Sequence, residues 1–163
     1  MKVEIVEADL SSERVIASVV DGIDAYARDP MGGGAPLPED VRARLGPDLR
    51  AHAARGVATV LLALRDGEAV GIAVCFVGYS TFRARPLLNL HDLAVRSGAR
   101  GTGAGQALLA AVAVKARALG CCKVTLEVRE DNGAARRLYE RTGFVDTAPG
   151  GARTRTLFLE QAV

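Results

Sequence analysis

An α/β domain is what the 163-residue chain predicts. Three observations carry that expectation. Short apolar runs with strand-like spacing occur, longer stretches with helical spacing alternate with them, and no internal repeat, low-complexity tract or linker divides the chain. At this length one core buries roughly two-thirds of the unfolded chain's surface, so a single domain over 1–163 needs neither disulfides nor a structural metal.

The elements follow in order. In "KVEIVEA", Val3, Ile5 and Ala8 stand among charged neighbours, the pattern of a half-buried strand. A helix comes next: Ser11 or Ser12 caps it, Val15, Ile16, Val19, Val20, Ile23 and Tyr26 form its stripe, and Pro30 forbids continuation. "MGGGAPLP" is a loop and the one candidate hinge. Beyond it Pro38, Glu39 and Asp40 make a first helical turn for Val41, Leu45 and Leu49, and Gly46-Pro47 is expected to interrupt or split that helix.

Two β-rich runs, 57–65 and 68–78, flank Asp66-Gly67, the strongest hairpin dipeptide in the chain. "LLNLHDLAV", 87–95, reads as a central strand covered on both sides. A helix follows with Leu108, Leu109, Val112 and Leu119 on one face and Gly120 as its left-handed C-terminal cap. "KVTLEV" predicts another strand, and "NGAARRLYERTG" another helix with Asn132 as N-cap and Gly143 past its end. "FVDT" and "RTRTLFLE" would close the sheet.

Composition excludes several classes of function. Lysine and arginine number 21 against 19 aspartate and glutamate, a formal charge of +2, too balanced to argue for nucleic acid or an anionic membrane. Aromatic residues are only 4% and tryptophan is absent, so no stacking surface for single strands is expected. Cys75, Cys121 and Cys122 show no ligand spacing, which predicts reduced thiols and no metal site. The first ten residues carry acids and lack a long apolar core, so neither a signal peptide nor a membrane span is expected and the chain reads as cytoplasmic.

Chemistry concentrates in "ARGTGAGQAL", 99–108, where glycines occupy alternate positions between a strand and a helix. Unpaired N–H groups of a first helical turn and the helix dipole favour an anion there. Glycine admits a phosphate oxygen without a Cβ in the way and permits the positive φ that gathers amides into a nest. A P-loop fails, because no lysine follows the glycines. The dinucleotide fingerprint can begin at Gly101 and Gly103, but its third glycine is replaced by Gln106, and the unit sits in mid-chain.

Arg100, Gly103 and Gly105 match [QR]-x-x-G-x-[GA], the coenzyme A loop of the GNAT superfamily of N-acetyltransferases, which the chain resembles over about 70–147. "LNLHDLAV" is similar to that family's central strand and "EDNGAARRLYERTGF" to its final helix; "YSTFRARPLLNLHDLAV" loosely resembles the diamine acetyltransferase branch. The resemblance implies a mixed sheet of about six to seven strands flanked by about four helices. It also implies acetyl-coenzyme A as co-substrate, a small-molecule or protein amine as acceptor, no metal, and a possible homodimer.

By the same resemblance, Leu93, Ala94 and Val95 pair with the pantetheine arm while Gly101, Thr102, Gly103, Ala104, Gly105 and Gln106 hold the pyrophosphate. Asn132 touches the arm, and Tyr139, two turns further on with Ala135 between, becomes the general acid for the departing thiolate. An alkylammonium titrates near about 10.4, so a base is needed at neutral pH. His91 and Asp92 stand where the diamine branch has glutamate and aspartate, and strict alternation sends them to opposite faces. Segments 26–37 and 79–85 match the family's substrate-facing loops. Asp21, Asp24 and Asp29 either attract a cationic substrate or form a solvated helix face, and Arg96, Arg136 and Arg137 either meet the 3′-phosphate or serve solubility. Two other classes stay open: an acyl-coenzyme A sensor without catalysis, and a dinucleotide-binding domain.

Overall fold

The computed structural model describes residues 3–145 and 159–161. Among them are five strands and four α-helices: β1 (Glu4–Glu7), α1 (Glu13–Ala27), α2 (Glu39–Ala54), β2 (Ala58–Arg65), β3 (Glu68–Ser80), β4 (Arg85–Val95), α3 (Ala104–Ala118), β5 (Val124–Thr125) and α4 (Gly133–Arg141). The strands lie in sequence order in one mixed sheet, antiparallel from β1 to β4 with a parallel β4–β5 pair. This topology excludes the dinucleotide-binding alternative, which requires a parallel, doubly wound sheet. The strands expected over 144–147 and 153–160 fall largely outside the described residues.

Alternation along β2, β3 and β4 feeds two cores. Leu61, Ala63, Ala73, Cys75, Leu88 and Leu90 pack against Leu108, Leu109 and Val112 of α3. Val60, Leu62, Ile72 and Val74 pack against Ile16, Val19 and Val20 of α1 and Leu49 of α2. Helices therefore cover both faces, which is why β2 and β3 read as continuous apolar runs. The β2–β3 turn has positive φ at both Asp66 (53°) and Gly67 (79°), the type I′ geometry that its dipeptide predicts.

Capping also follows the letters. Ser12 caps α1 by accepting from the Val15 amide, and Asn132 caps α4 by accepting from the Ala135 amide at 3.1 Å. Three expectations fail. Helix α2 runs unbroken through Pro47, because Gly46 lets Ile16 of α1 approach so closely that a Cβ would lie 2.5 Å from its Cγ2. That packing, together with buried Leu49, outweighs the local preference to stop. Leu119 lies beyond the end of α3 and is exposed, while Ala116 takes the core position. Strand β5 is two residues long, and its pairing with β4 ends at Asn89 and Thr125.

Candidate active site

A bulge in β4 creates the site. Across β3, Cys75 stands opposite Leu90 and Val74 opposite Asp92, so His91 is the inserted residue. On the other side, pairing with β5 stops at Asn89 and Thr125. The edge of β4 from Leu90 to Val95 thus has no strand partner on that side among the described residues, and alternate backbone groups point into the gap.

The bulge also corrects the expectation for the two candidate bases. Asp92 pairs with Val74, which belongs to the core under α1 and α2, and the His91 ring meets Phe76, packed on the same core, at 5.5 Å edge to face. Both side chains therefore lie on one face of the sheet rather than on opposite faces. Burial pushes the Asp92 carboxyl above the usual carboxylate range, and the neighbouring His91 opposes that shift.

Beyond Val95 the chain makes a single 3-10 turn, Ser97–Ala99, and enters the glycine loop. The three glycines serve different ends. Gly101 and Gly103 have φ of +76° and +89°, conformations that favour glycine, and a Cβ on either would meet no protein atom. Gly105 instead lies under α4, where a Cβ would come 3.0 Å from Leu138 Cδ2. All three line a cavity of about 890 Å³, whereas Thr102 and Ala104 between them do not. The Thr102 hydroxyl donates to Ala99 O at 2.6 Å, and Ala104 is buried. Glycine thus falls at the cavity-facing positions of the loop. Gly103 begins α3 with no side-chain cap, so the amides of Ala104, Gly105 and Gln106 lack an intrahelical or side-chain acceptor.

Leu93, Ala94, Val95, Arg100, Gln106, Asn132, Ala135 and Tyr139 line the same cavity. A smaller cavity of about 370 Å³ shares Tyr26, Met31, Leu93, Asn132, Ala135 and Tyr139 with it and adds His91, Glu127 and Arg129. Tyr139 and His91 thus face one space, and Asp92 lines neither cavity. Burial, then the nearby Tyr26 hydroxyl, pushes the Tyr139 phenol up to about 12, while its ring packs at 5.7 Å against Phe144.

The remaining charges sort differently from either reading of the sequence. Asp24 is buried; it accepts from the Leu37 amide and pairs with Arg28 and Arg42, which fixes the loop after α1. Its carboxyl is held below the usual range, first by the Leu37 amide and then by Arg28. Asp21 also pairs with Arg42, and Asp29 with Arg100. Asp24 thus anchors the fold, whereas Asp21 makes an exposed ion pair on the helix face and Asp29 lines the larger cavity. Arg96 lines the larger cavity, while Arg136 and Arg137 line neither. Sequence reasoning missed Arg65, whose guanidinium donates to the Thr102 hydroxyl from 37 positions away; only its place at the end of a strand hinted at it.

An open strand edge leading into an uncapped helix N-terminus, flanked by a tyrosine on α4, defines a site for an elongated, anion-bearing ligand. The Acetyltransferase (GNAT) family model matches residues 24–144, so the chain belongs to the GNAT acetyltransferase family. Over 96 residues, 59% of this chain and 64% of the relative, it is 32% identical to "Uncharacterized N-acetyltransferase YhfO" of Bacillus subtilis (strain 168). The chain thus matches less than two thirds of that relative's length. A solved "putative acetyltransferase" from Arthrobacter sp. FB24 is 28% identical with a TM-score of 0.81, covering 98% of this chain and 96% of that one. AAC(6')-Iy in complex with the bisubstrate analog CoA-S-monomethyl-acetylneamine shares the fold at 17% identity, a TM-score of 0.78, and 100% of both chains.

Proposed function

We propose that this chain transfers an acetyl group from acetyl-coenzyme A to the primary amine of a small molecule, by direct attack of the amine on the thioester. One observation carries the reading: the partnerless edge of β4 from Leu90 to Val95 runs into the left-handed Gly101 and Gly103 and the uncapped start of α3, along one cavity. That geometry fits coenzyme A. An amide-containing pantetheine arm completes an open strand edge, and a pyrophosphate meets convergent amides at a helix N-terminus. The co-substrate supplies an acyl group already activated as a thioester.

The protein's own groups manage protons. Leu93, Ala94 and Val95 offer backbone to the arm, and residues 101–106 offer amides to the phosphates. Tyr139 keeps its proton throughout the physiological range, since its phenol is pushed up to about 12. A thiol ordinarily titrates near about 8.5, so Tyr139 holds the departing sulfur by hydrogen bonding and completes proton transfer as its own oxygen is reprotonated. His91, which lines the smaller cavity with Tyr139, takes the proton of the incoming ammonium directly or through water, with Asp92 beside it on the same face of the sheet as the alternative acceptor through water. The complex of AAC(6')-Iy with the bisubstrate analog CoA-S-monomethyl-acetylneamine, in a chain of the same fold, supports a small amine as acceptor.

Release of free thiol from acetyl-coenzyme A, measured against a panel of primary amines, tests the reading. Turnover with at least one amine is expected. Tight binding of coenzyme A without turnover on any amine would establish the sensor instead.

A further inference from the structure

Thr102 sits between the two left-handed glycines of the loop, is exposed and does not line the cavity. Its hydroxyl donates to Ala99 O at 2.6 Å and accepts from Arg65 Nη2 at 2.8 Å. Arg65 ends β2, a strand that reaches the loop only across β3 and β4. The Arg65 Nε is buried and has no hydrogen-bond partner among the described residues. An arginine with one buried donor left unsatisfied is costly to retain.

We infer that Arg65 is a positioning residue for diphosphate binding: its guanidinium grips Thr102 from behind, holds the glycine loop with its amides open to the cavity, and adds a fixed positive charge beside them. This inference rests on the proposed coenzyme A site. It assigns the preference for the phosphate-bearing ligand to a residue that never touches it. The physical basis is twofold. A loop with two positive-φ residues has many alternative conformations, and pinning the residue between them removes that freedom before the ligand arrives. A guanidinium behind a ring of amides also raises the local potential felt by an anion, and it cannot lose its charge.

Calorimetric titration with two probes separates the outcomes. Coenzyme A carries the phosphates; pantetheine carries only the arm. For Arg65→Met and for Thr102→Val, the Kd for coenzyme A is expected to rise about tenfold, as for loss of a charge-assisted contact, with that for pantetheine changed less than twofold. Thr102→Ser, which keeps the hydroxyl, is expected to bind coenzyme A as the parent chain does. Should Arg65→Met fail to fold, Thr102→Val carries the test, because it alters only a loop hydroxyl. Unchanged coenzyme A binding in these variants, or equal weakening of both probes, overturns the inference. A parent chain that binds no coenzyme A overturns the site reading itself, a result distinct from either.

Discussion

Arg100 Nη2 lies 2.6 Å from Asp29 Oδ2, and the same guanidinium donates through Nε to Val95 O at 3.0 Å. One side chain thereby ties together the glycine loop, the end of β4 and the loop that follows α1. Asp29 also accepts from the Met31 amide, and its carboxyl is held below the usual range, first by Arg100 and then by that amide. Met31 and Tyr26 line the smaller cavity, so the contact joins the proposed coenzyme A loop to the proposed acceptor side. Because Arg100 is largely exposed, the pair is worth only about 1 kcal/mol or less to stability.

Its larger effect is expected on binding. Asp29→Asn and Arg100→Gln should each weaken coenzyme A about two- to fivefold, and the double variant should lose little more than either alone, since both remove one contact. A double-mutant cycle on the coenzyme A Kd reads this directly. Fully additive losses would show that the two residues act separately.

Tyr139→Phe isolates the proton. The ring stays against Phe144 and only the hydroxyl is lost, so the KM for acetyl-coenzyme A should hold within about threefold while kcat falls ~10²-fold or more. His91→Ala, compared across pH 6 to 9, gives the complementary result. If His91 accepts the ammonium proton, the variant loses more than about threefold in rate and the low-pH limb of the rate profile moves; an unmoved limb assigns the base to another group.

Gly46→Ala tests why α2 survives Pro47. Alanine is the better helix former by about 1 kcal/mol, so propensity alone predicts a gain. The added Cβ, however, would lie 2.5 Å from Ile16 Cγ2 on α1, and overpacking of this kind costs about 1–3 kcal/mol. A fall in Tm is expected from thermal unfolding, and because Ile16→Ala removes the Cγ2 that the new Cβ meets, Gly46→Ala should cost less in the Ile16→Ala background than in the parent chain. A rise in Tm from Gly46→Ala alone would mean that the two helices are free to separate.

What the letters made legible was local, and what they hid was not. Ser12, Asn132 and Asp66-Gly67 act within a few residues of themselves, and each does in the structure what its chemistry predicts, while Gly101 and Gly103 take the positive φ that glycine permits. The bulge at His91 was hidden because a period-two pattern cannot display an inserted residue; the insertion exists only relative to β3. The Arg65–Thr102 and Arg100–Asp29 contacts join residues 37 and 71 positions apart, and nothing in either neighbourhood marks the partner. Asp24 reads as one more acid on a helix face until the loop after α1 folds back to offer it the Leu37 amide.

Gly103 and Gly105 should respond to alanine to different degrees. At Gly103, φ is +89°, so Gly103→Ala costs roughly 1–2 kcal/mol in backbone strain and reshapes the amides that open α3; coenzyme A binding should fall sharply. At Gly105 the backbone is helical and the new Cβ meets the mobile end of Leu138, so the stability change should stay within about 1 kcal/mol and binding should fall less. Thermal unfolding and coenzyme A titration on the two variants distinguish these effects, and the reverse order would place the anion nest elsewhere.

Asp92→Asn should stabilise the protein while slowing it. Burial raises the Asp92 carboxyl above its ordinary value of about 3.9, so the folded state holds that proton more tightly than the unfolded chain does. As pH climbs from that ordinary value through the folded-state value, the unfolded chain releases its proton first and the native state loses stability. An amide carries no such penalty. The Tm difference between Asp92→Asn and the parent chain should therefore move in favour of the variant as pH rises from that ordinary value through the folded-state value and stay level above it. His91 limits the size of the change, because its positive form favours the ionised carboxylate, so in a His91→Ala background the gain from Asp92→Asn should be larger. A variant that instead loses Tm over the same interval would mean that the carboxylate is held by groups favouring its ionised form, and a base so strongly stabilised is a poor acceptor for an ammonium proton.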